Sequence, residues 1–112
     1  MIYEYLYKNK KDINDIIRSK DKINIILYYS NSCWYCTQLM PVWNRIKKKY
    51  LNDNNINIIG VERDNIKHML KKYKQNVFGF PTIIKIKKGK IVGNYEGDRS
   101  FKSLNIFIKK II

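Results

Sequence analysis

The stretch "SNSCWYCTQLMP", residues 30–41, contains both cysteines of the chain, separated by two residues. It follows "INIILYYS", residues 23–30, an apolar run rich in β-branched residues that predicts a central strand buried on both faces. The pattern after the cysteines predicts a helix that Pro41 kinks without ending it. Its apolar positions recur at spacings of three and four: Leu39, Val42, Trp43, Ile46 and Tyr50.

This order places Cys33 at or just before the first turn of a helix, where unpaired backbone N–H groups and the positive end of the helix dipole stabilise a thiolate. We therefore expect a depressed pKa for Cys33, and the thiolate is the form that attacks disulfides. Cys36 lies one turn further on and is expected to be more buried, so that its sulfur can close onto Cys33 and release a bound partner. The alternative is a pair of incidental buried thiols, which are common in cores.

Further strands are predicted at residues 2–7 and 56–62, and a hairpin of two strands at 82–96 around Lys88-Gly89. Helices are predicted at 12–19, 65–73 and 100–112, with Asp12 as a cap of the first. Their expected inward residues are Ile13, Ile16 and Ile17, then Ile66, Met69, Leu70 and Tyr73, then Phe101, Leu104, Ile108 and Ile111 or Ile112. The order βαβαβαββα predicts one α/β domain, residues 1–112, in which helices flank a central mixed β-sheet.

The composition gives a net charge of +14, but this excess has a simple source. Ile, Asn, Lys and Tyr, all with AT-rich codons, supply 61 of the 112 residues, and alanine is absent. Such a bias suggests an AT-rich genome, for example that of a large DNA virus, and favours a solvated lysine surface over a nucleic-acid site. No arginine-rich stripe or RNA-binding aromatic signature is present, so no specific nucleic-acid partner is expected.

Three further expectations concern the setting of the protein. No apolar run approaches the roughly 18–20 residues of a membrane span, and the first residues lack the apolar stretch of a secretory signal. We therefore expect a cytoplasmic monomer that contacts no membrane, with the virion as a second location if the source is viral. Two cysteines and the single His68 fall short of the about four ligands of a structural zinc site, so no metal is expected.

The segment "FGFPT", residues 78–82, predicts a second part of the site. Pro81 opens a strand although it has no N–H to give to a ladder, which marks a special backbone position. A cis bond before Pro81 would expose the backbone of Phe80 to an incoming chain.

Taken together, these residues resemble the thioredoxin-like superfamily, which includes thioredoxins and protein-disulfide-isomerase domains. The resemblance spans nearly the whole chain and rests on the strand ending at Tyr29, "CWYC", Pro41, "GFPT", "KKGK" and the glycine of "YEGDRS". It implies the thioredoxin fold, with Cys33 as the attacking and Cys36 as the resolving cysteine. It also implies that Pro81 walls the site, bars metals and holds substrate backbone. Protein disulfides or dithiols, with a reductase or thiol oxidase, are the implied partners, and the cysteine pair serves as redox centre without a bound cofactor.

The departures from that family concern the same site. Ser32 replaces a tryptophan, and Trp34 and Tyr35 replace the Gly-Pro of thioredoxins. The family often carries a buried aspartate and a lysine that assist proton transfer to the second cysteine, and this chain has Leu27 and Gly60 there. The proton is then expected to pass to water or to another acid such as Glu62, or resolution runs more slowly.

Residues between the cysteines tune the potential, so "CWYC" leaves the direction of exchange open. We predict Trp34, Tyr35, Phe80 and Pro81 as substrate-binding residues. The rival interpretation is a binding module without catalysis that docks a partner through Trp34, Tyr35 and Phe80. The intact cysteine pair argues against it.

Overall fold

The computed structural model describes residues 1–5, 13–18 and 21–110. Within these residues the chain forms five strands: β1 (Ile2–Glu4), β2 (Ile23–Tyr29), β3 (Ile56–Glu62), β4 (Thr82–Lys87) and β5 (Lys90–Asn94). The α-helices are α1 (Ile13–Arg18), α2 (Trp34–Lys49), α3 (Lys71–Lys74) and α4 (Phe101–Lys109), and a 3₁₀ helix spans Arg63–His68. The predicted order of strands and helices is confirmed.

The five strands form one mixed sheet in the order β1-β3-β2-β4-β5. The strand β3 runs parallel to both β1 and β2, whereas β4 is antiparallel to β2 and to β5. The predicted central strand is confirmed, since β2 lies in the middle and its five inner residues are buried. No helix in the described part of the chain is long and apolar enough to cross a bilayer.

Two hydrophobic clusters lie on opposite faces of the sheet, because alternate residues of a strand point to opposite sides. On one face Ile26 and Tyr28 pack with α1 and with Tyr73 of α3. On the other face Ile25 and Leu27 pack with residues of α2 and α4. Helices thus cover both faces, as predicted, and α2 lies over the face that carries Leu27. It continues through Pro41, which confirms that this proline does not end the helix.

The ends of several elements differ from the predicted ones. The first strand ends at Glu4 although residues 2–7 were predicted, and Tyr5 outside it still donates its N–H to the Gly60 carbonyl at 2.8 Å. Residues 6 and 7, the predicted cap Asp12, and Ile111 and Ile112 lie outside the described residues. The hairpin turn at Lys88-Gly89 is confirmed, with φ of 54° and 76°, but its second strand stops at Asn94.

The prediction of a single helix at residues 65–73 is wrong, because this segment forms the end of the 3₁₀ helix and the start of α3. Met69 and Leu70 are extended, with ψ of 149° and 139°, and separate the 3₁₀ helix from α3. The buried side chain of Asn14 explains the break. Its Oδ1 accepts from the Leu70 N–H at 3.0 Å and its Nδ2 donates to the His68 carbonyl at 3.2 Å, so these groups bond to α1 instead of within a helix. The extended step still buries Met69 and Tyr73, as predicted, and leaves Ile66 and Leu70 half-buried.

Lys85 in β4 is a buried cation that the alternating hairpin pattern did not reveal, with only 1% of the residue exposed. Its Nζ donates to the carbonyl oxygens of Phe107 at 3.2 Å and Lys110 at 2.5 Å. Burial, with the charges of Lys87 and Lys110, lowers the pKa of Lys85. Carbonyls at a helix C-terminus lack intrahelical partners, so the ammonium satisfies them and fastens α4 to the sheet.

We expect Lys85→Ala to lower the free energy of unfolding by about 1–3 kcal/mol, since it leaves two carbonyls unpaired and a cavity under α4. The half-buried neighbour Lys87 provides the control, because Lys87→Ala removes the same charge without those bonds. Urea melts of both variants measure the difference. Equal losses would show that the bonds from Lys85 contribute nothing beyond its charge.

Candidate active site

Cys33 lies where the sequence predicted it, in the cap position of α2. The strand β2 ends at Tyr29, and the chain turns through Ser30, whose carbonyl accepts from the Cys33 N–H at 3.1 Å. Cys33 has extended backbone angles, φ −94° and ψ 119°, and its sulfur accepts from the Cys36 N–H at 3.3 Å. A sulfur thus takes the place of the oxygen that caps most helices.

The surroundings of Cys33 favour its thiolate. The pKa of Cys33 is lowered, first by the hydrogen bond from the Cys36 side chain and then by the backbone N–H groups of Cys36 and Tyr35. The charge of Arg99 adds to this effect, while partial burial opposes it. The depressed pKa therefore arises first from the Cys36 side chain, and the backbone N–H groups that the sequence suggested as the cause make a smaller contribution.

Cys36 behaves in the opposite way. It is buried, and burial followed by its interaction with Cys33 raises its pKa to about 11, against the weaker effects of the Ser30 backbone and Arg99. Both sulfurs are free thiols. The pair therefore combines a partly exposed sulfur whose thiolate is favoured with a buried sulfur whose thiolate is disfavoured.

The segment before β4 closes the other side of the sulfur. The Phe80-Pro81 peptide bond is cis, and the Phe80 carbonyl oxygen lies 3.5 Å from the Cys33 sulfur. The Thr82 hydroxyl donates to the Gly79 carbonyl at 2.7 Å and holds this turn. The structure thus brings Phe80 and Pro81 to the cysteine pair, as predicted.

Exposed aromatic side chains lie next to the cysteine pair in the chain and next to the segment before β4. Trp34 and Tyr35 are 66% and 58% exposed, and their rings meet edge to face with centroids 5.1 Å apart. Phe78, which the sequence reasoning missed, is 91% exposed and only two residues from the carbonyl that contacts Cys33. Its place in "VFGFPT" was the available signal. These side chains give the site an apolar rim, and a role in substrate binding stays a prediction.

Arg99 is the second residue that sequence reasoning missed. It lies in the loop between β5 and α4, with its guanidinium carbon 5.8 Å from the centroid of the Tyr35 ring. Its charge lowers the pKa of both cysteines. The loop is held next to it, since the Asp98 carboxylate accepts from the Ser100 N–H at 2.9 Å and Ser100 caps α4. Only the basic residue in "YEGDRS" marked this position in the sequence.

The family's proton-transfer pair is replaced by a different arrangement. Leu27 is fully buried and pairs with Gly60 of β3, so the two expected positions are neighbours in the sheet. A Cβ on Gly60 would clash with Oε1 of Glu4, whose side chain covers the glycine. The other Glu4 oxygen accepts from the Tyr29 hydroxyl at 2.7 Å, and burial raises the pKa of Glu4.

Glu62, the acid suggested as a substitute, is engaged elsewhere. Its carboxylate accepts from the Asp64 N–H at 2.9 Å, which caps the 3₁₀ helix, and from the Asn31 N–H at 3.3 Å. Within the described residues, no carboxylate contributes to the pKa shift of Cys36. The geometry therefore gives Glu62 a structural contact and no link to the buried sulfur.

Comparison with known proteins decides the family. The family model described as Thioredoxin matches residues 4–110. The chain belongs to the thioredoxin family. It is 27% identical over 101 residues to a putative protein disulfide-isomerase of Schizosaccharomyces pombe, and 29% identical over 100 residues to protein disulfide-isomerase 1 of Caenorhabditis elegans. Each match covers 88% of this chain but 20% of the relative, so the chain spans about a fifth of these curated proteins.

Solved structures confirm the thioredoxin fold. A reduced Schistosoma mansoni thioredoxin pre-protein superposes with a TM-score of 0.74 at 26% identity, covering 99% of this chain and 98% of that one. Zinc-bound human ERp44 superposes with a TM-score of 0.73 at 23% identity, over 97% of this chain and 30% of that one. These relatives come from yeast and animals and give no support to the viral origin suggested by composition.

The helix-start geometry predicts that iodoacetamide alkylates Cys33 with a pH midpoint below the free-thiol value of about 8.5. Cys36, with its raised pKa, should stay unmodified through neutral pH in the folded protein. Mass spectrometry of reduced protein quenched across the pH range assigns the label to each cysteine. A Cys33 midpoint at or above that of a free thiol would refute the proposed activation.

Proposed function

We propose that this thioredoxin-family chain is a thiol–disulfide oxidoreductase that exchanges disulfides with protein substrates through Cys33 and Cys36. The observation that carries the proposal is the opposite shift of the two pKa values, lowered at Cys33 and raised at Cys36. One sulfur is thereby prepared to attack, while the other is kept protonated one helical turn away.

In the reducing direction, the Cys33 thiolate attacks one sulfur of a substrate disulfide. A bond forms between Cys33 and that sulfur as the substrate S–S bond breaks, and the departing thiolate takes a proton from solvent. Cys36 then gives up its proton and attacks the Cys33 sulfur, which releases the second substrate thiol. The substrate gains two electrons and the cysteine pair loses them, so the exchange needs no bound cofactor. The reverse sequence oxidises a substrate dithiol.

The rim of the site gives each neighbour a role in this proposal. The exposed rings of Trp34 and Tyr35 lie next to the nucleophile and offer apolar contact to the residues that flank a substrate cysteine. The segment Phe80-Pro81 lies on the other side of the sulfur, with the Phe80 carbonyl facing it, and offers backbone contact. A partner that only docked on these rings would have no use for two polarised sulfurs, so catalysis is the better-supported function.

The setting of the reaction belongs to the proposal as well. Its partners are protein disulfides or dithiols together with a reductase or thiol oxidase, and a measured reduction potential distinguishes the two directions. The expected monomer can be tested by light scattering. The cytoplasmic location predicted from the sequence stays a prediction, which fractionation of the source cells would test.

The first test separates the two cysteines. We expect Cys36→Ser to accumulate mixed disulfides with a disulfide-containing protein such as insulin, because the attack occurs and the resolution does not. Cys33→Ser should neither accumulate them nor reduce insulin. Non-reducing gels and insulin turbidity provide the measurements. Equal trapping by both variants refutes the assigned roles, and insulin reduction by Cys33→Ser at the wild-type rate refutes the mechanism.

The second test concerns the missing carboxylate. We expect Leu27→Asp to lower the free energy of unfolding by roughly 1–4 kcal/mol, since the position is fully buried. Burial raises the folded-state pKa of a carboxyl above its unfolded value, so the folded chain binds the proton more tightly. The stability loss should therefore be smallest below the unfolded-state pKa, grow as pH rises from the unfolded to the folded pKa, and stay constant above the folded pKa.

The matched control is Leu27→Asn, which introduces a polar group of the same shape without a titrating proton, so its loss should not follow that pH dependence. Urea melts of both variants, at a pH below and a pH above the titration of the introduced carboxyl, provide this comparison. Leu27→Asp should also resolve the mixed disulfide faster at neutral pH than Leu27→Asn, because it supplies a proton acceptor. Single-turnover reduction across pH measures the rate, and equal rates would show that protons already leave Cys36 by another route.

A further inference from the structure

The charge of the chain is distributed more unevenly than its composition suggests. Residues 65–95 contain eight lysines and neither aspartate nor glutamate, whereas all nine acidic residues lie outside this range. An AT-rich genome favours lysine over aspartate and glutamate, whose codons begin with G, but this bias acts on the whole chain and does not by itself separate the charges along it. The absence of carboxylates from these 31 consecutive residues sets the segment apart from the rest of the chain.

The fold gathers part of this segment into one surface. Tyr73 of α3 is buried, and its hydroxyl donates to the carbonyl of Gly89 in the β4–β5 turn at 3.0 Å, which ties the helix to the turn. Between them lies a cleft of about 390 Å³ with Lys72 on one side and Lys90 on the other. A second depression of about 300 Å³ adjoins it and is bordered by Lys88 and Lys90. We call the two depressions the lysine cleft.

No ion pair among the described residues neutralises the cations of the lysine cleft. Lys72, Lys88 and Lys90 are exposed. Within residues 1–5, 13–18 and 21–110, the ion pairs join Arg18 with Asp15 and Arg63 with Asp64, and none involves these lysines. Like charges around a cleft repel each other, and an anionic partner relieves that repulsion.

Lys88 adds a conformational observation. Its φ of 54° places it in the left-handed region, where glycine, asparagine or aspartate would be less strained. The backbone conformation at the tip of the turn therefore does not explain why a lysine occupies this position. It does extend the cationic rim of the cleft.

We propose that the lysine cleft binds an acidic polypeptide segment, at a site separate from the cysteine pair. The cleft lies at the opposite end of β4 from the active site, because Lys87 pairs with Ile23 at the start of β2, whereas Thr82 pairs with Tyr28 near its end. Glutamate and aspartate side chains would face the three lysines. The exposed amides of Gln75 and Asn76, which line the cleft, provide donors and acceptors for the backbone of that segment.

Other polyanions fit this surface less well. Single-stranded nucleic acids are usually held by exposed aromatic rings on which bases stack, and the aromatic ring of the cleft, Tyr73, is buried. The described residues that line the cleft include no arginine, the side chain best suited to bind phosphate with two hydrogen bonds. A flat bilayer surface cannot enter a concave site.

The test uses the full chain in a Cys33→Ser/Cys36→Ser background, which prevents covalent capture. Binding of a labelled, cysteine-free, glutamate-rich peptide is followed by anisotropy at an ionic strength of about 0.15 M. We expect Lys72→Gln/Lys88→Asn/Lys90→Gln to weaken binding by about tenfold or more, since screening leaves chiefly the charges in direct contact. Asparagine is chosen at position 88 because it tolerates the left-handed backbone.

The matched control is Lys48→Gln/Lys49→Gln/Lys102→Gln, which removes three exposed charges from α2 and α4. Equal weakening by both triple variants would mean that the peptide responds to net charge alone, and the proposal fails. Amide chemical shifts of the parent protein give a readout that does not depend on variants. Changes confined to α3 and the β4–β5 turn support the cleft, and changes spread over the surface overturn it.

Two further probes decide the class of partner. Single-stranded polyuridylate and vesicles containing phosphatidylserine are compared with the peptide at the same salt concentration. Tighter binding of either one, lost in the cleft variant, would replace the acidic polypeptide by that partner. Since neither cysteine is present, these outcomes leave the proposed disulfide exchange untouched.

Discussion

Burial of β2 between two layers of helices is the constraint on which the site depends. Its five inner residues are inaccessible, and alternate side chains enter opposite clusters, so the strand can neither slide nor rotate without moving apolar groups into water. The chain leaves this fixed strand at Tyr29 and enters α2 at Trp34. Cys33 is the last residue between them. Its position at the helix start follows from the strand as much as from the helix.

The sequence predicted those structural elements that are determined by residues close together in the chain. The apolar run at 23–30, the spacing of Leu39, Trp43 and Ile46, and the turn at Lys88-Gly89 are local patterns, and each is found in the structure. The pattern of residues 65–73 failed because a side chain from elsewhere decided the outcome. Asn14 lies more than fifty residues away and takes the hydrogen bonds of Leu70 and His68. Helical periodicity contains no information about such a contact.

The same distinction applies to the active site. Cys33, Cys36 and the Phe80-Pro81 segment were found from motifs, whereas Arg99 matters through its proximity in space. Arg99 comes from the loop after β5, more than sixty residues beyond the cysteines, and reaches them because the sheet brings β4 beside β2. Lys85 escaped notice for a related reason. A lysine in an alternating strand is ordinarily solvated, and only the docking of α4 turns it into a buried cation with carbonyl partners.

Leu27 and Gly60 occupy the positions where the family often carries a buried aspartate and a lysine, and their combination avoids an unpaired charge in the core. A buried carboxylate and a buried lysine stabilise each other, so losing one alone would leave an uncompensated charge in the core. Here both positions are uncharged, and the space above Gly60 is occupied by Glu4, whose carboxyl is held by the Tyr29 hydroxyl. The core beneath the cysteines thus lacks the charge pair and contains no unpaired charge at either of these two positions.

With no charge pair beneath the cysteines, the Cys33 thiolate is stabilised by hydrogen-bond donors at the start of α2. The hydrogen bonds from Cys36 act at contact distance and are little affected by salt, whereas the charge of Arg99 and the net charge of +14 act through solvent and are screened over about 8 Å at physiological ionic strength. The thiolate is therefore stabilised mainly by local geometry.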